Sequence, residues 1–154
     1  MSQNANTGEF KIFDASEYRV GIVCAEFNSD ITSLVLKDSL AKCEDYGVLK
    51  KNIVIHKVHG CVEIPLILHK MAQTGEFDCL VALGVVIRGE TAHFDYVCNI
   101  VSEGVLRVSL DNYIPVGFGI LTCENKEQAE KRINFGGHSV EAALHSSKII
   151  KEYK

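Results

Sequence analysis

Short apolar runs alternate with longer amphipathic stretches four times along the chain. The runs are Tyr18 to Ala25, in which Val20, Ile22 and Val23 lead, then Ile53 to Val58, Cys79 to Ile87 and Val116 to Leu121. They are short and rich in Val and Ile, as buried parallel strands are. Segments of helical length lie between them. Asn28 or Ser29 is placed to cap a helix that carries Ile31, Leu34 and Val35 on its inner face and stops at Gly47. Ile64 to Thr74 predicts a shorter helix, with Pro65 in its first turn and Gly75 just past its end. Phe94, Val97, Val101, Val105 and Val108 recur at three-to-four spacing and predict a third. Asn125 followed by Gln128 reads as a capping-box variant. After a break at Gly136-Gly137, a last helix carries Val140, Ala143, Leu144 and Ile150.

Strands alternating with helices imply a parallel sheet with right-handed crossovers and helices on both faces. The predicted fold class is therefore α/β, a three-layer α/β/α sandwich on a four-stranded parallel sheet, flavodoxin-like in shape. Upstream, Glu9 to Asp14, with Phe10, Ile12 and Phe13, reads as an extra extended piece able to pair at a sheet edge, of this chain or of a neighbour. Without repeats or linkers, residues 1–154 read as one domain behind a flexible lead over residues 1–8.

The 154 residues include 16 Lys and Arg against 20 Asp and Glu, a net charge of −4. A general nucleic-acid binder carries a basic excess, so that class is disfavoured. No apolar run approaches the ~20 residues of a membrane span, and Met1 to Thr7 lacks the apolar core of a signal peptide. The six cysteines, Cys24, Cys43, Cys61, Cys79, Cys98 and Cys123, form no C-x-x-C pair, which disfavours a structural zinc site. Most lie within apolar runs, where cysteine acts as a small hydrophobe. A reduced, cytoplasmic compartment is the expectation.

Open α/β sheets bind ligands beyond the carboxyl ends of their strands. The segments after the four runs are Glu26-Phe27-Asn28, His59-Gly60-Cys61-Val62-Glu63, Arg88-Gly89-Glu90-Thr91-Ala92-His93 and Thr122-Cys123-Glu124-Asn125. In the third, Gly89-Glu90-Thr91 lies between a strand and a helix, where free backbone N–H groups and a hydroxyl suit a phosphate. His93 is placed beside that anion site, and imidazole is the side chain that exchanges protons near neutral pH. A helix-capping role for it stays open. Phe27 is either a stacking platform for a planar ligand or core, and Glu63 either orients a hydroxylated ligand or favours a helix N-terminus through the dipole. His56, His59, His69 and His145 share no ligand spacing. No Walker-type or dinucleotide glycine pattern is present.

At these same clusters the chain resembles the 6,7-dimethyl-8-ribityllumazine synthase family of riboflavin biosynthesis. The most specific stretch runs Ala82-Leu83-Gly84-Val85-Val86-Ile87-Arg88-Gly89-Glu90-Thr91-Ala92-His93-Phe94-Asp95-Tyr96-Val97. It is supported by Glu26-Phe27-Asn28, by Gly60 with Glu63-Ile64-Pro65, by Pro115 to Thr122, and by Glu127-Gln128-Ala129 leading to Arg132. The resemblance implies condensation of 5-amino-6-(D-ribitylamino)uracil with 3,4-dihydroxy-2-butanone 4-phosphate, without a metal or redox cofactor. It also implies site roles. Phe27 stacks on the pyrimidine, and backbone groups of Val86 and Ile87 read the ring edge. Asn28, Cys61 and Glu63 line the ribityl chain. Glu90 and Thr91 hold the phosphate with Arg132 as cationic partner, and His93 shuttles protons.

In this family Phe118 and Arg132 reach the site from an adjacent subunit. Members form pentamers, and some assemble further into decamers or icosahedral 60-subunit shells. The Phe10 to Phe13 piece fits the family strand that joins a neighbour's sheet. His59 stands where the family usually has Pro, and Val62 where it has an aromatic. Ile133 to Ser139 replaces a Lys-containing glycine-rich stretch about two residues longer. There His138 takes the place of a phosphate-proximal Lys, a weaker anion holder when neutral. Two other functions fit the same resemblance: an archaeal-type riboflavin synthase, and a non-catalytic lumazine- or flavin-binding shell protein.

Overall fold

The computed structural model describes residue 6 and residues 8–153, so the expected flexible lead over 1–8 falls largely outside it. Four strands, β1 (Val20–Ala25), β2 (Ile53–Val58), β3 (Cys79–Ile87) and β4 (Val116–Cys123), form one sheet in the order β2-β1-β3-β4. All three pairings are parallel. Helices α1 (Ser29–Asp45), α2 (Ile64–Gln73), α3 (His93–Asn112), the short α4 (Lys126–Glu130) and α5 (Phe135–Lys151) connect and cover it. One apolar core lies between the sheet and α1, α4 and α5, and the other between the sheet and α2 and α3. This is the three-layer, flavodoxin-like arrangement that the alternation predicts.

Several local expectations change on folding. Gly136 and Gly137 do not break the last helix; they are its second and third residues, buried against α1. A Cβ on Gly136 would stand 2.2 Å from the Val35 carbonyl oxygen. The absence of a side chain there lets the two helix backbones meet, and the Asp38 carboxylate accepts from Gly137 N–H at 2.7 Å. In α1, Ile31, Thr32, Val35, Ser39 and Cys43 are buried while Leu34 is exposed. At 100° per residue Leu34 falls outside the arc shared by the other five. Strand β2 is an edge strand, with Ile55, His56 and Lys57 exposed, and not a fully buried one.

The Glu9 to Asp14 segment makes no strand with this chain's own sheet. It lies instead beside α5, where the Phe13 ring meets Tyr46 at 5.3 Å and His145 at 5.1 Å. Phe10 and Ile12 remain 59% exposed.

Candidate functional site

Beyond the end of β1 the sheet opens into a cleft. Strand β3 is longer than β1: their pairing ends at Leu83, whereas β3 continues along β4 to Ile87. Strand alternation directs the N–H and C=O of Arg88 and the other even-numbered residues toward β4, as the 2.9 Å bond from Arg88 N–H to Cys123 O illustrates. The backbone groups of Val85 and Ile87 therefore face the side that β1 has vacated. The Val85 carbonyl accepts from Asn28 Nδ2 at 2.9 Å. Ile87 is left presenting a donor and an acceptor to the cleft. Val86 has its backbone groups on the β4 side, which corrects the expectation that both residues offer theirs.

The cleft holds about 510 Å³. Its walls come from all the rim segments predicted except the one after β4. Phe27 and Asn28 follow β1, Gly60 to Glu63 follow β2, and Val85 to Ile87, Gly89, Thr91 and His93 belong to β3 and the turn after it. Phe27 is 72% exposed and lines the cleft, so it is not a core residue. The left-handed backbone of Asn28 (φ 62°) sets the turn from β1 into α1. Asn28 does not cap α1 through its side chain; that amide goes to Val85, and the backbone carbonyl of Asn28 takes the first helical N–H groups, from Ile31 and Thr32.

Cys61 lines the cleft but is only 5% exposed. Its sulfur fills the space left by Gly84, where a Cβ would stand 2.4 Å from it. Burial pushes this thiol up to about 12, so Cys61 is a neutral wall element and a poor nucleophile. Glu63 Oε1 accepts from Gly60 N–H at 3.0 Å, closing a tight turn over Cys61–Glu63. Glu63 thus closes the turn that leads into α2 and also lines the cleft.

Thr91 Oγ1 accepts from His93 N–H at 3.3 Å at the start of α3, which leaves the hydroxyl proton available to a ligand. Glu90 is exposed on the same turn without lining the cleft. Phe94 and Val97, read from sequence only as part of the buried stripe of α3, are wall residues. Being the first members of a helix that starts at the rim, they lie above the strand ends. Helical periodicity reports a face but not its height above the sheet.

Besides Glu90, three predicted residues are outside this cleft. Phe118 and His138 line a separate apolar groove of about 680 Å³ between α5, β4 and the end of α3, together with Phe135 and Tyr113. Its lining shares no residue with that of the cleft. His138 Nδ1 is buried without a hydrogen-bond partner. Arg132 is half-buried beyond α4, with Nη1 donating to the Gln128 carbonyl at 2.8 Å. All six cysteines lie among the described residues and are free thiols, five of them buried and Cys98 partly exposed. Among the described residues no helix is long and apolar enough to cross a membrane.

Comparison with known proteins adds two findings. A sequence profile described as 6,7-dimethyl-8-ribityllumazine synthase matches residues 17–151. The 6,7-dimethyl-8-ribityllumazine synthase of Protochlamydia amoebophila (strain UWE25) is 45% identical over 137 residues, spanning 88% of this chain and 80% of the relative.

Proposed function

Since the chain belongs to the 6,7-dimethyl-8-ribityllumazine synthase family, we propose that its rim cleft condenses 5-amino-6-(D-ribitylamino)uracil with 3,4-dihydroxy-2-butanone 4-phosphate. The products are 6,7-dimethyl-8-ribityllumazine, phosphate and water. The observation that carries this reading is the convergence, in one cleft, of an exposed ring at Phe27, the open backbone edge of Ile87 and the hydroxyl-bearing turn at Thr91 with His93 beside it. A planar heterocycle stacks on the first and pairs with the second, while an anion suits the helix-start turn.

In this reading Asn28, Cys61, Val62 and Glu63 face the ribityl chain, and Thr91, with Glu90 on the same turn, contacts the four-carbon phosphate. The pyrimidine amine attacks the ketone carbonyl, and loss of water gives an imine. Elimination of phosphate follows, and ring closure by the ribitylamino nitrogen on the remaining carbonyl expels a second water. Each step moves a proton, and His93 is the titratable ring at the cleft positioned to carry it. Both reactants bring their own reactive groups, so holding amine and carbonyl together supplies much of the acceleration.

The working unit in this proposal is a homo-oligomer, built on pentamers that can stack or close into larger shells. Phe118, Arg132 and His138 lie outside their own cleft, which suits service to an adjacent subunit's site. Helix α3 exposes Tyr96, Ile100, Leu106 and Leu110, with Tyr113 just past its end, and a second copy would cover that surface. The exposed Phe10 to Phe13 segment would add to a neighbour's open sheet edge. The free thiols accord with a reducing cytoplasm.

The test is a two-substrate assay with native mass measurement. Lumazine absorbance and fluorescence rising above the uncatalysed rate is the expected result. Product at background level would overturn the proposal, and riboflavin formed from lumazine alone would replace it with a riboflavin synthase. Tight lumazine binding without turnover would identify a binding or shell protein. A monomeric mass would remove the shared site.

A further inference from the structure

Resting on that reading of Arg132 as a phosphate partner, we infer that Gln128 is the positioning residue of Arg132, tied to the cleft wall through Glu124 and Arg88. Three links of 2.8 Å run in series. Arg88 Nε donates to Glu124 Oε2, Glu124 N–H donates to Gln128 Oε1, and Arg132 Nη1 donates to the Gln128 carbonyl. At the cleft end, the Arg88 guanidinium carbon lies 4.4 Å from the centroid of Phe94, a wall residue.

Gln128 is the hub because three of its four polar groups are engaged. Its side-chain oxygen holds the end of β4, its N–H donates to Asn125 Oδ1 at 2.9 Å, and its carbonyl holds Arg132. Helix α4 has five residues, too few to hold its own geometry, since isolated short helices are marginal. Its placement is set jointly by these bonds, by Ala129 buried in the core and by the Lys126–Asp30 contact at 2.6 Å. The Arg88–Glu124 pair is exposed, with 40% and 59% of the two side chains accessible, and exposed ion pairs contribute little individually. The Gln128 bonds therefore set the guanidinium, and the ion pair trims it. With one Nη engaged, most of the five guanidinium donors remain for a phosphate. In a shared-site assembly this relay links a chain's own cleft to the cation it lends to its neighbour.

The experiment is steady-state kinetics on the assembled full-length protein. Gln128→Met keeps the side chain's length but removes its acceptor. It should raise the KM for the butanone phosphate roughly five-fold, with kcat and the pyrimidine KM within about two-fold. Gln128→Glu retains an acceptor oxygen and should restore the lower KM. The shift should vanish in an Arg132→Ala background, because residues acting through one group are not additive. Should Gln128→Met fail to assemble, Glu124→Ala at an exposed position gives a smaller shift with the same disappearance.

An unchanged KM for the phosphorylated substrate overturns the relay, as does a shift that persists undiminished in the Arg132→Ala background. Failure of the parent chain to form lumazine overturns the site reading and the relay together. Normal parent turnover with an unmoved Gln128→Met variant overturns the relay alone.

Discussion

The Asn28 side chain donates to the Val85 carbonyl across 2.9 Å, joining residues 57 apart in sequence at the floor of the cleft. Asn28 holds a left-handed backbone at φ 62°, a conformation that asparagine and glycine tolerate better than other residues. One residue thus turns the chain out of β1, places Phe27 beside the open edge of β3 and occupies the carbonyl that β1 no longer covers.

Substitutions at Asn28 should separate these contributions. Asn28→Gly keeps the turn but loses the bond, for a loss of about 1 kcal/mol. Asn28→Ala also introduces left-handed strain and should lose about 2 kcal/mol. Urea unfolding would rank them, and equal losses would show that backbone strain at this position is negligible.

Cys61 and Gly84 should behave as a coupled pair. Gly84→Ala places a methyl 2.4 Å from the Cys61 sulfur, while the next neighbours, Ala25 and Ile120, stand at a tolerable 3.4 Å. The single substitution should destabilise by about 1–3 kcal/mol, as overpacked cores do. Adding Cys61→Ala should recover most of that, and additive losses in the double variant would contradict the packing account.

Stability should fall on the alkaline side. Burial pushes the thiols of Cys24 and Cys43 up to about 11 and that of Cys61 to about 12. Burial, with Glu141 beside it, also raises the Tyr46 phenol. The fold prefers all four neutral, and an unfolded thiol ionises near 8.5. The stabilisation is fully present below that pH and is lost progressively as pH rises toward 11–12. Urea midpoints under reductant should hold from pH 7 to 8 and drop by pH 10.5, less steeply in a Cys24→Ala, Cys43→Ala variant. A level midpoint through pH 10.5 would sink the idea.

Removal of the His93 imidazole tests the proton-transfer role. The residue is exposed at the first turn of α3, so His93→Ala should leave melting temperature and assembly unchanged. Its kcat should fall by about 10²-fold, the scale of one general acid–base group. An unaltered rate would remove His93 from the mechanism.

Element order, strand number and the rim segments could be read from sequence, because periodicity and turn residues are local properties. Phe27, Thr91 and His93 could be located as well, since a residue just past a strand end must lie at the rim whichever way the sheet twists. The role of Asn28 could not. Capping is what its side chain does by default, and only the overhang of β3 past β1 offers it a better acceptor at Val85. Gly136-Gly137 looks like a helix break until α1 is in place, when the missing side chains become the condition for close backbone contact.

Helical spacing assigns Phe94 and Val97 to a face but not to a height, and the separation of Phe118, Arg132 and His138 from the cleft has no signature in spacing. The sequence determined which segments form strands and helices and which residues stand at the carboxyl ends. Tertiary structure decided which backbone groups remain unpaired and which side chains share a cavity. Those outcomes depend on strand lengths and close approaches between segments distant in sequence, as between Asp38 and Gly137, 99 residues apart, which no local pattern encodes.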